Sequence, residues 1–415
     1  MDLDFAAATH VGKIRDHNED NYLIDKKLQL FSVADGMGGH ASGEVASSLT
    51  VHAVRDAIAE QRDQIEAFQA GDEGIESGEI LSVLDGALKE ASRKVYEDAE
   101  LDEGKRGMGT TSSTLLIAGP PGKLRGFIAH VGDSRIYLVR QGLTHQLTED
   151  HSLLNELVKR KKITREEFAT SPYKRFKNAV TRAVGIYPTV EVDTFDFDIL
   201  PGDRFLLCSD GLSEYLENST LPDMLADRDV ETVTTSLINT ANDGGGHDNI
   251  TAIFVRISDG NTREETQRGS EMTRKIDVLK NMPFFKYLSY KELVRVMAIT
   301  QTKKFKAGSS IFVEGQEGQS MFVVVHGSVR VHTKDHEVAK LSEGQHFGEM
   351  ALVNRSPRSL SATAQEDCTV LSINRKDFYA IIKREPALST KLLWSFVQAL
   401  ATRLRDTTKE LNSKR

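Results

Sequence analysis

Residues 30–39 read LFSVADGMGG, an apolar run that ends on Asp35 and Gly36. After one strand, an Asp-Gly pair is ordinarily a turn. In this chain the arrangement recurs. Residues 205–211, FLLCSDG, bring a second apolar run to Asp210, and residues 247–254, HDNITAIF, begin a third directly after Asp248. A further acidic cluster, Asn18-Glu19-Asp20, precedes the apolar pair Tyr22-Leu23. Carboxylates gathered at strand ends repel one another and are costly to bury unless a cation neutralises the set. Hard divalent ions such as Mg2+ or Mn2+ take oxygen ligands of this kind and keep several waters. Two such ions held side by side can activate a shared water and neutralise a phosphoryl group.

Around these runs, two helices are expected. Val45, Leu49, Ala53, Ala57 and Ile58 share one helical face, as do Ile80, Leu84, Leu88, Ala91 and Val95. Helices mixed with short strand-like runs, among them residues 126–142, GFIAHVGDSRIYLVRQG, predict an α+β layered domain with largely antiparallel sheets. Residues 258–275, SDGNTREETQRGSEMTRK, are polar, charged and nearly free of large apolar side chains, as an interdomain linker is. Beyond them Gly308, Gly315, Gly327 and Gly344 punctuate short strand-like pieces, which predicts a small β-barrel or roll. From about Leu388 the pattern returns to helical periodicity.

Composition narrows the function classes. The chain has 415 residues, 39% hydrophobic and 27% charged, enough for two soluble domains. A net charge of −8 argues against a general nucleic-acid binder. Only Cys208 and Cys368 are present, so no disulfide framework is implied. The start lacks the basic and apolar segments of a signal peptide, and no apolar stretch approaches ~18 residues, so a cytoplasmic protein without membrane contact is expected.

Six short strings occur in order: Arg15-Asp16-His17-Asn18-Glu19-Asp20, Ala34-Asp35-Gly36-Met37-Gly38-Gly39, Gly109-Thr110-Thr111, Val131-Gly132-Asp133-Ser134-Arg135, Cys208-Ser209-Asp210-Gly211 and Asp248-Asn249-Ile250-Thr251. Together, over residues 4–257, they resemble the signature of the metal-dependent, type 2C protein phosphatases in their compact bacterial form. The resemblance implies a layered αββα fold with two antiparallel sheets, and hydrolysis of phosphoserine and phosphothreonine by a metal-activated water. It implies two Mn2+ or Mg2+ ions and a third, weaker one. Asp35 would bridge the pair, Gly36 would contribute its carbonyl, and Asp210 and Asp248 would complete the site. Glu19 and Asp20 would hold metal-bound waters, and Asp133 would hold the third ion. Arg15 would grip the substrate phosphate, a task suited to a planar guanidinium.

One departure stands out. Many eukaryotic members carry His after the Asp-Gly pair, where this chain has Met37, so the general acid is unassigned. His40 is a candidate, weighed against an ordinary loop residue; His130 reads as a structural side chain. The segment 152–177 is rich in Lys and Arg. In bacterial relatives the comparable stretch resembles a flap beside the active site, and a basic flap would draw in acidic phosphoprotein segments. A solvated helix anchored by Leu153, Leu154 and Leu157 is the plain alternative.

The second half has its own string. Phe347-Gly348-Glu349-Met350-Ala351-Leu352-Val353, followed by Ser356-Pro357-Arg358-Ser359, offers backbone N–H groups at a Gly-rich turn, with an acid and an Arg nine residues apart. The string resembles the phosphate-binding cassette of cyclic-nucleotide-binding domains, and the likeness covers residues 276–386. It implies Glu349 on the ribose hydroxyl, Arg358 on the phosphate, and backbone contacts from Gly348. Ser359 bears on the choice between cAMP and cGMP, which stays open. Leu360 replaces a usually small residue and crowds the pocket. In the tail 387–415, Leu393, Val397, Leu400, Leu404 and Leu411 could form a homodimer seam or pack on their own domain. No helix-turn-helix is expected after it.

The sequence thus reads as a phosphoprotein phosphatase regulated by a cyclic nucleotide. A phosphatase whose second domain only dimerises or targets it, and a catalytically silent nucleotide sensor, are the rival readings.

Overall fold

The strand that carries Asp35 sits inside a two-sheet stack. The structure is a computed structural model that describes residues 2–38, 42–72, 74–120, 123–160, 162–226, 228–258, 274–282, 284–285, 287–334, 336–384, 388–398, 401 and 405. Two compact units divide the chain, Met1–Thr266 and Gln267–Arg415. Most of the polar stretch read as a linker, 259–273, lies outside the described residues.

In chain order the first unit has strands β1 (Leu3–His10), β2 (Asp20–Asp25), β3 (Leu30–Met37), β4 (Gly109–Thr110), β5 (Ser112–Ala118), β6 (Arg125–Val131), β7 (Arg135–Arg140), β8 (Leu143–Gln146), β9 (Asp193–Asp198), β10 (Arg204–Cys208) and β11 (Ile250–Ile257). One antiparallel sheet runs β1-β11-β10-β7-β8 and the other β2-β3-β5-β6-β9, with β4 paired to β3. Helices α1 (Ser42–Glu60), α2 (Arg62–Ala70) and α3 (Ser77–Leu101) cover the second sheet. The helix Val230–Asp243 covers the first. Between the sheets the rings of Phe5 and Phe31 stand edge to face at 5.3 Å, and those of Phe197 and Phe205 lie 5.8 Å apart. The layering is αββα, as expected.

Local sequence explains the layers. All of the expected α3 face, Ile80, Leu84, Leu88, Ala91 and Val95, is buried. On α1 the expected Ala53 and Ile58 are buried together with Ala46, Ser47, Thr50, Val51 and Val54, while Val45, Leu49 and Ala57 are only partly buried, so the buried face is turned toward smaller, partly polar positions near the helix start. This rotation has a steric cause at the helix start. A Cβ on Gly36 would lie 2.1 Å from the Gly43 carbonyl oxygen, and one on Gly43 would lie 2.6 Å from Glu19 Oε1. The helix therefore comes close to β3 and the Glu19 loop, and small residues line the contact.

In the second unit β12 (Thr300–Phe305), β13 (Ser310–Phe312), β14 (Ser320–His326), β15 (Val329–His332), β16 (Glu337–Leu341), β17 (His346–Phe347), β18 (Ser361–Ala364) and β19 (Cys368–Asn374) form two four-stranded sheets, β12-β19-β14-β17 and β13-β18-β15-β16. Phe322, Val324, Val329, Phe347, Ala362 and Val370 fill the space between them, which makes the β-roll. Helices flank it. Tyr290–Ala298 starts with a Ser289/Glu292 capping box, and the helical stretch 388–398 lays Leu388, Leu392 and Phe396 inward, Phe396 meeting Phe284 at 4.2 Å. Leu393 and Val397, two positions of the expected seam, point to solvent with Trp394, while Leu400, Leu404 and Leu411 lie outside the described residues. Among the described residues no helix is long and apolar enough to cross a membrane.

Candidate active site and nucleotide pocket

Both sheets of the first unit deliver acids to one end of the stack. Asp20 opens β2 and lies directly across the ladder from Asp35 on β3. Like charges so placed destabilise an antiparallel pair. Asp210 follows β10 and begins the short helix Asp210–Ser213, and Asp248 leads into the neighbouring β11. Asp133 occupies the turn by which the chain leaves β6 in one sheet for β7 in the other.

The electrostatics follow from this crowding. Burial, then Asp210 and Asp248, pushes the Asp20 carboxyl up to about 7, against the pull of its bond from Ser209. Asp133 is likewise raised to about 7, by burial and then by Asp210 and Asp150. Asp35 is held well above the usual carboxylate range by burial, with Asp20, Asp210, Asp133 and Asp248 adding to it. Asp210 is raised by burial and then by Asp248, with the neighbouring Asp35 carboxyl pulling the other way. Asp20 Oδ1 and Asp210 Oδ1 are buried with no hydrogen-bond partner. Such atoms, among carboxyls that hold on to protons, fit the oxygen donors a divalent cation replaces protons on. Among the described residues no three His, Cys, Asp or Glu side chains are arranged to enclose an ion by themselves.

Neighbouring residues fix the acids. Ser209 Oγ donates to Asp20 Oδ2 at 2.7 Å and accepts from the Thr251 N–H at 3.0 Å. Asn249 Oδ1 accepts from the Glu19 N–H at 2.8 Å, while its Nδ2 donates to the Val11 and His17 carbonyls. Thr111 Oγ1 accepts from the Asp35 N–H at 2.9 Å and meets Ser134 Oγ at 2.7 Å. The sequence by itself assigns no role to these three polar residues, although each stands inside a quoted string. Arg15, with half its side chain exposed, donates from Nη2 to Asp248 Oδ2 at 2.8 Å, a bond that raises its pKa. Gly36 donates its N–H to the Glu19 carbonyl at 3.1 Å. Arg15, Glu19, Asp20, Asp35, Gly36, Asp133, Asp210 and Asp248 are thus brought together at one end of the sheets.

His40 lies outside the described residues. His130 is buried, meets Ser113 Oγ through Nδ1 and donates from Nε2 to the Glu149 carbonyl, and burial lowers its pKa to about 3. It is a structural histidine. In the segment 152–177, Leu153, Leu154 and Leu157 are only partly buried, and Phe168 is the buried anchor. Several of its cations are paired: Lys159 with Glu149, Arg160 with Glu156, and Lys177 with Glu214.

In the second unit Gly348, Glu349, Arg358 and Ser359 line one cavity of about 420 Å³ with Val331, Leu341 and Leu360. Its size is in the range of small-ligand sites, so Leu360 narrows the pocket without closing it. Glu349 is buried and Ser359 exposed. Arg358 is anchored internally: Nη2 donates to the Ser320 carbonyl at 2.7 Å, Nη1 to the Gly348 carbonyl at 3.1 Å, and the guanidinium lies 4.1 Å from the Phe312 ring centre. Its buried Nε has no hydrogen-bond partner. Burial lowers its pKa, and Glu349 opposes that shift.

Residues 12–254 match the Protein phosphatase 2C family, and residues 302–385 match the Cyclic nucleotide-binding domain family. The chain is 37% identical over 251 residues to the serine/threonine phosphatase Stp of Listeria innocua, a match spanning 60% of this chain and 93% of that protein. Among solved structures, the serine/threonine phosphatase of S. agalactiae is similar with a TM-score of 0.54 and 35% identity, over 62% of this chain and all of that one. The catalytic domain of the phosphatase PstP in complex with two manganese ions is similar with a TM-score of 0.51 and 35% identity, over 62% of this chain and 99% of that domain.

Proposed function

The chain belongs to the protein phosphatase 2C family and is a metal-dependent serine/threonine protein phosphatase with a cyclic-nucleotide-binding domain, and we propose that a cyclic nucleotide in that second domain governs the phosphatase. The reading includes a cytoplasmic enzyme acting on phosphorylated proteins. Mn2+ or Mg2+ held by Asp35, the Gly36 carbonyl, Asp210 and Asp248, with Glu19 and Asp20 on its waters and Asp133 at a third position, would supply water activation and charge neutralisation. The chain's own contribution is positioning. Ser209 and Thr111 hold Asp20 and Asp35 in place, and Asn249 fixes the Glu19 loop. Arg15 stands at the exposed edge, where it can transfer a guanidinium bond from Asp248 to a substrate phosphate oxygen.

The observation that carries the regulatory part is the open cavity over Glu349 and Arg358. A ligand shifts activity only if it binds two arrangements of the protein unequally, and a coupling of ~1–3 kcal/mol changes activity about 5- to 150-fold. The test is phosphopeptide hydrolysis by the intact chain in Mn2+, with and without saturating cAMP or cGMP. Binding without a change in rate would dismiss the switch. The exposed face of Leu393, Trp394 and Val397, each more than half exposed, favours a second reading in which the tail helix pairs two copies. A monomer at every concentration in sedimentation would dismiss that one.

A further inference from the structure

His151 is buried and belongs to no part of the acid cluster, yet it holds the turn that presents Asp133. Its backbone N–H donates to the Gly132 carbonyl at 2.8 Å, and its Nδ1 accepts from the Gly132 N–H at 3.1 Å. One residue thus clasps Gly132 from both sides. Gly132 cannot be held by a side chain of its own: its φ is +106°, and a Cβ there would lie 2.6 Å from the Thr111 side chain. The next residues continue into the site, since Ser134 Oγ meets Thr111 Oγ1 and Thr111 holds the Asp35 N–H.

The other side of His151 faces the segment 152–181. Its carbonyl accepts from the Thr181 N–H at 2.7 Å, and Ser152 and Val180 form an isolated antiparallel bridge. The backbone N–H of Gly132 can only donate, so Nδ1 must carry a lone pair and the neutral ring has its proton on Nε2. Arg182 Nη1 lies 3.2 Å from Nε2 and is also a donor. Asp193 Oδ1 accepts from that Nη1 at 3.0 Å and lies 3.7 Å from Nε2. The His130 ring, 4.9 Å away, packs against the His151 ring.

We propose that His151 is a positioning residue that couples the Gly132–Asp133–Ser134 turn to the segment 152–181, so that where Asp133 presents its carboxylate depends on how the return limb Val180–Arg182 is seated. The proposal rests on the reading of Asp133 as a metal ligand only for its functional consequence. The coupling itself runs through the backbone and the ring of His151 and can be read without metal.

The experiment uses the full chain and four variants, with amide hydrogen exchange in metal-free buffer and Mn2+ binding followed by electron paramagnetic resonance. In His151→Leu the Gly132 amide and residues 152–181 should exchange at least about tenfold faster, and the weakest Mn2+ site should lose about tenfold in affinity while tighter sites hold. His151→Asn places an amide oxygen near the position of Nδ1. It should restore Gly132 protection and Mn2+ affinity to within about threefold of the parent, leaving the Arg182 side loosened. Arg182→Met touches only the far side, yet should still speed Gly132 exchange by about three- to tenfold. It decides the matter should His151→Leu fold poorly. Parental Gly132 exchange in Arg182→Met, or no rescue by His151→Asn, would overturn the coupling. Asp133→Asn separates the two claims: if it leaves Mn2+ binding unchanged, the metal role of Asp133 fails, and the exchange results still decide the coupling.

Discussion

The two candidate sites resolve their charges in opposite ways. At the end of the sheet stack, Asp20, Asp35, Asp133, Asp210 and Asp248 crowd together, four of them with raised pKa values, and Arg15 answers only Asp248. In the β-roll the Arg358 guanidinium donates to two carbonyls through Nη1 and Nη2 and packs on an aromatic ring beside Glu349, while its buried Nε has no hydrogen-bond partner. The first site carries more charge of one sign than the chain can neutralise, so its order depends on a bound cation or on protons. The second is anchored by backbone carbonyls on two of its three guanidinium nitrogens, so a ligand adds to a pocket that already stands. Loss of a charge or an ion should therefore have large effects in the first site and graded ones in the second.

The largest expected effect is at Asp35 and Asp210. Asp35→Asn or Asp210→Asn should lower phosphopeptide turnover by about three orders of magnitude or more. Each should also remove most of the rise in melting temperature that Mn2+ gives the parent, because each weakens ion binding to the folded state. Without metal the variants should melt no lower than the parent, since a repelling charge has gone. A variant that still gains full stability from Mn2+ would break the contrast.

Proton linkage gives the second effect. Asp20 and Asp133 titrate near 7 in the folded chain against an ordinary 3.8, so the folded state binds more protons than the unfolded one between those values. Their contribution to stability is complete below pH ~3.8 and is lost as pH rises through about 7. Metal-free protein should accordingly lose stability, by up to a few kcal/mol, across that window. Saturating Mn2+ should flatten the profile. Denaturant titrations at several pH values measure both, and a metal-free profile rising from pH 4 to 7 would contradict the charge assignment.

Much of this contrast was legible in the sequence, for a physical reason. Strand-end acids leave a mark because an apolar run and its terminal Asp are adjacent in the chain, and the α3 face shows because helical periodicity is local. Tertiary contacts between distant residues leave no such mark. Ser209 lies next to Asp210, yet its partner Asp20 is 189 positions away. The rotation of α1 toward Ala46, Ser47 and Thr50 comes from the Gly36–Gly43 approach, which periodicity does not register. In the tail, Leu393 and Val397 fit a seam by spacing and stay exposed, while the face that packs on its own domain is Leu388, Leu392 and Phe396, which meets Phe284 and Phe378 through contacts that spacing does not register.

At the edge of the acid cluster a smaller change is expected. Arg15→Ala should raise KM for a phosphopeptide about 10- to 100-fold, the loss of one charge-assisted bond. Arg15→Lys should recover part of it, because an ammonium keeps the charge but not the planar fork. Steady-state kinetics in saturating Mn2+ separate this from metal loss. Wild-type kinetics for Arg15→Ala would remove Arg15 from the site.

The smallest effect belongs to the β-roll. Ser359 is exposed beside Arg358 and lines the cavity mouth, where its hydroxyl can either donate or accept. A neutral, solvent-reachable hydrogen bond contributes about 0.5–1.5 kcal/mol, so Ser359→Ala should change the cGMP-to-cAMP affinity ratio by only about two- to tenfold. The pocket is lined by Phe312, Phe347 and the carbonyl-anchored Arg358, none of which is held by that hydroxyl. Affinity for each nucleotide should otherwise persist. Calorimetric titration of both nucleotides into parent and variant measures the ratio directly. A shift of a hundredfold or more would mean that Ser359 is as decisive here as a single carboxylate is in the acid cluster, and the contrast between a carbonyl-anchored pocket and a cation-dependent one would fail at its weaker end.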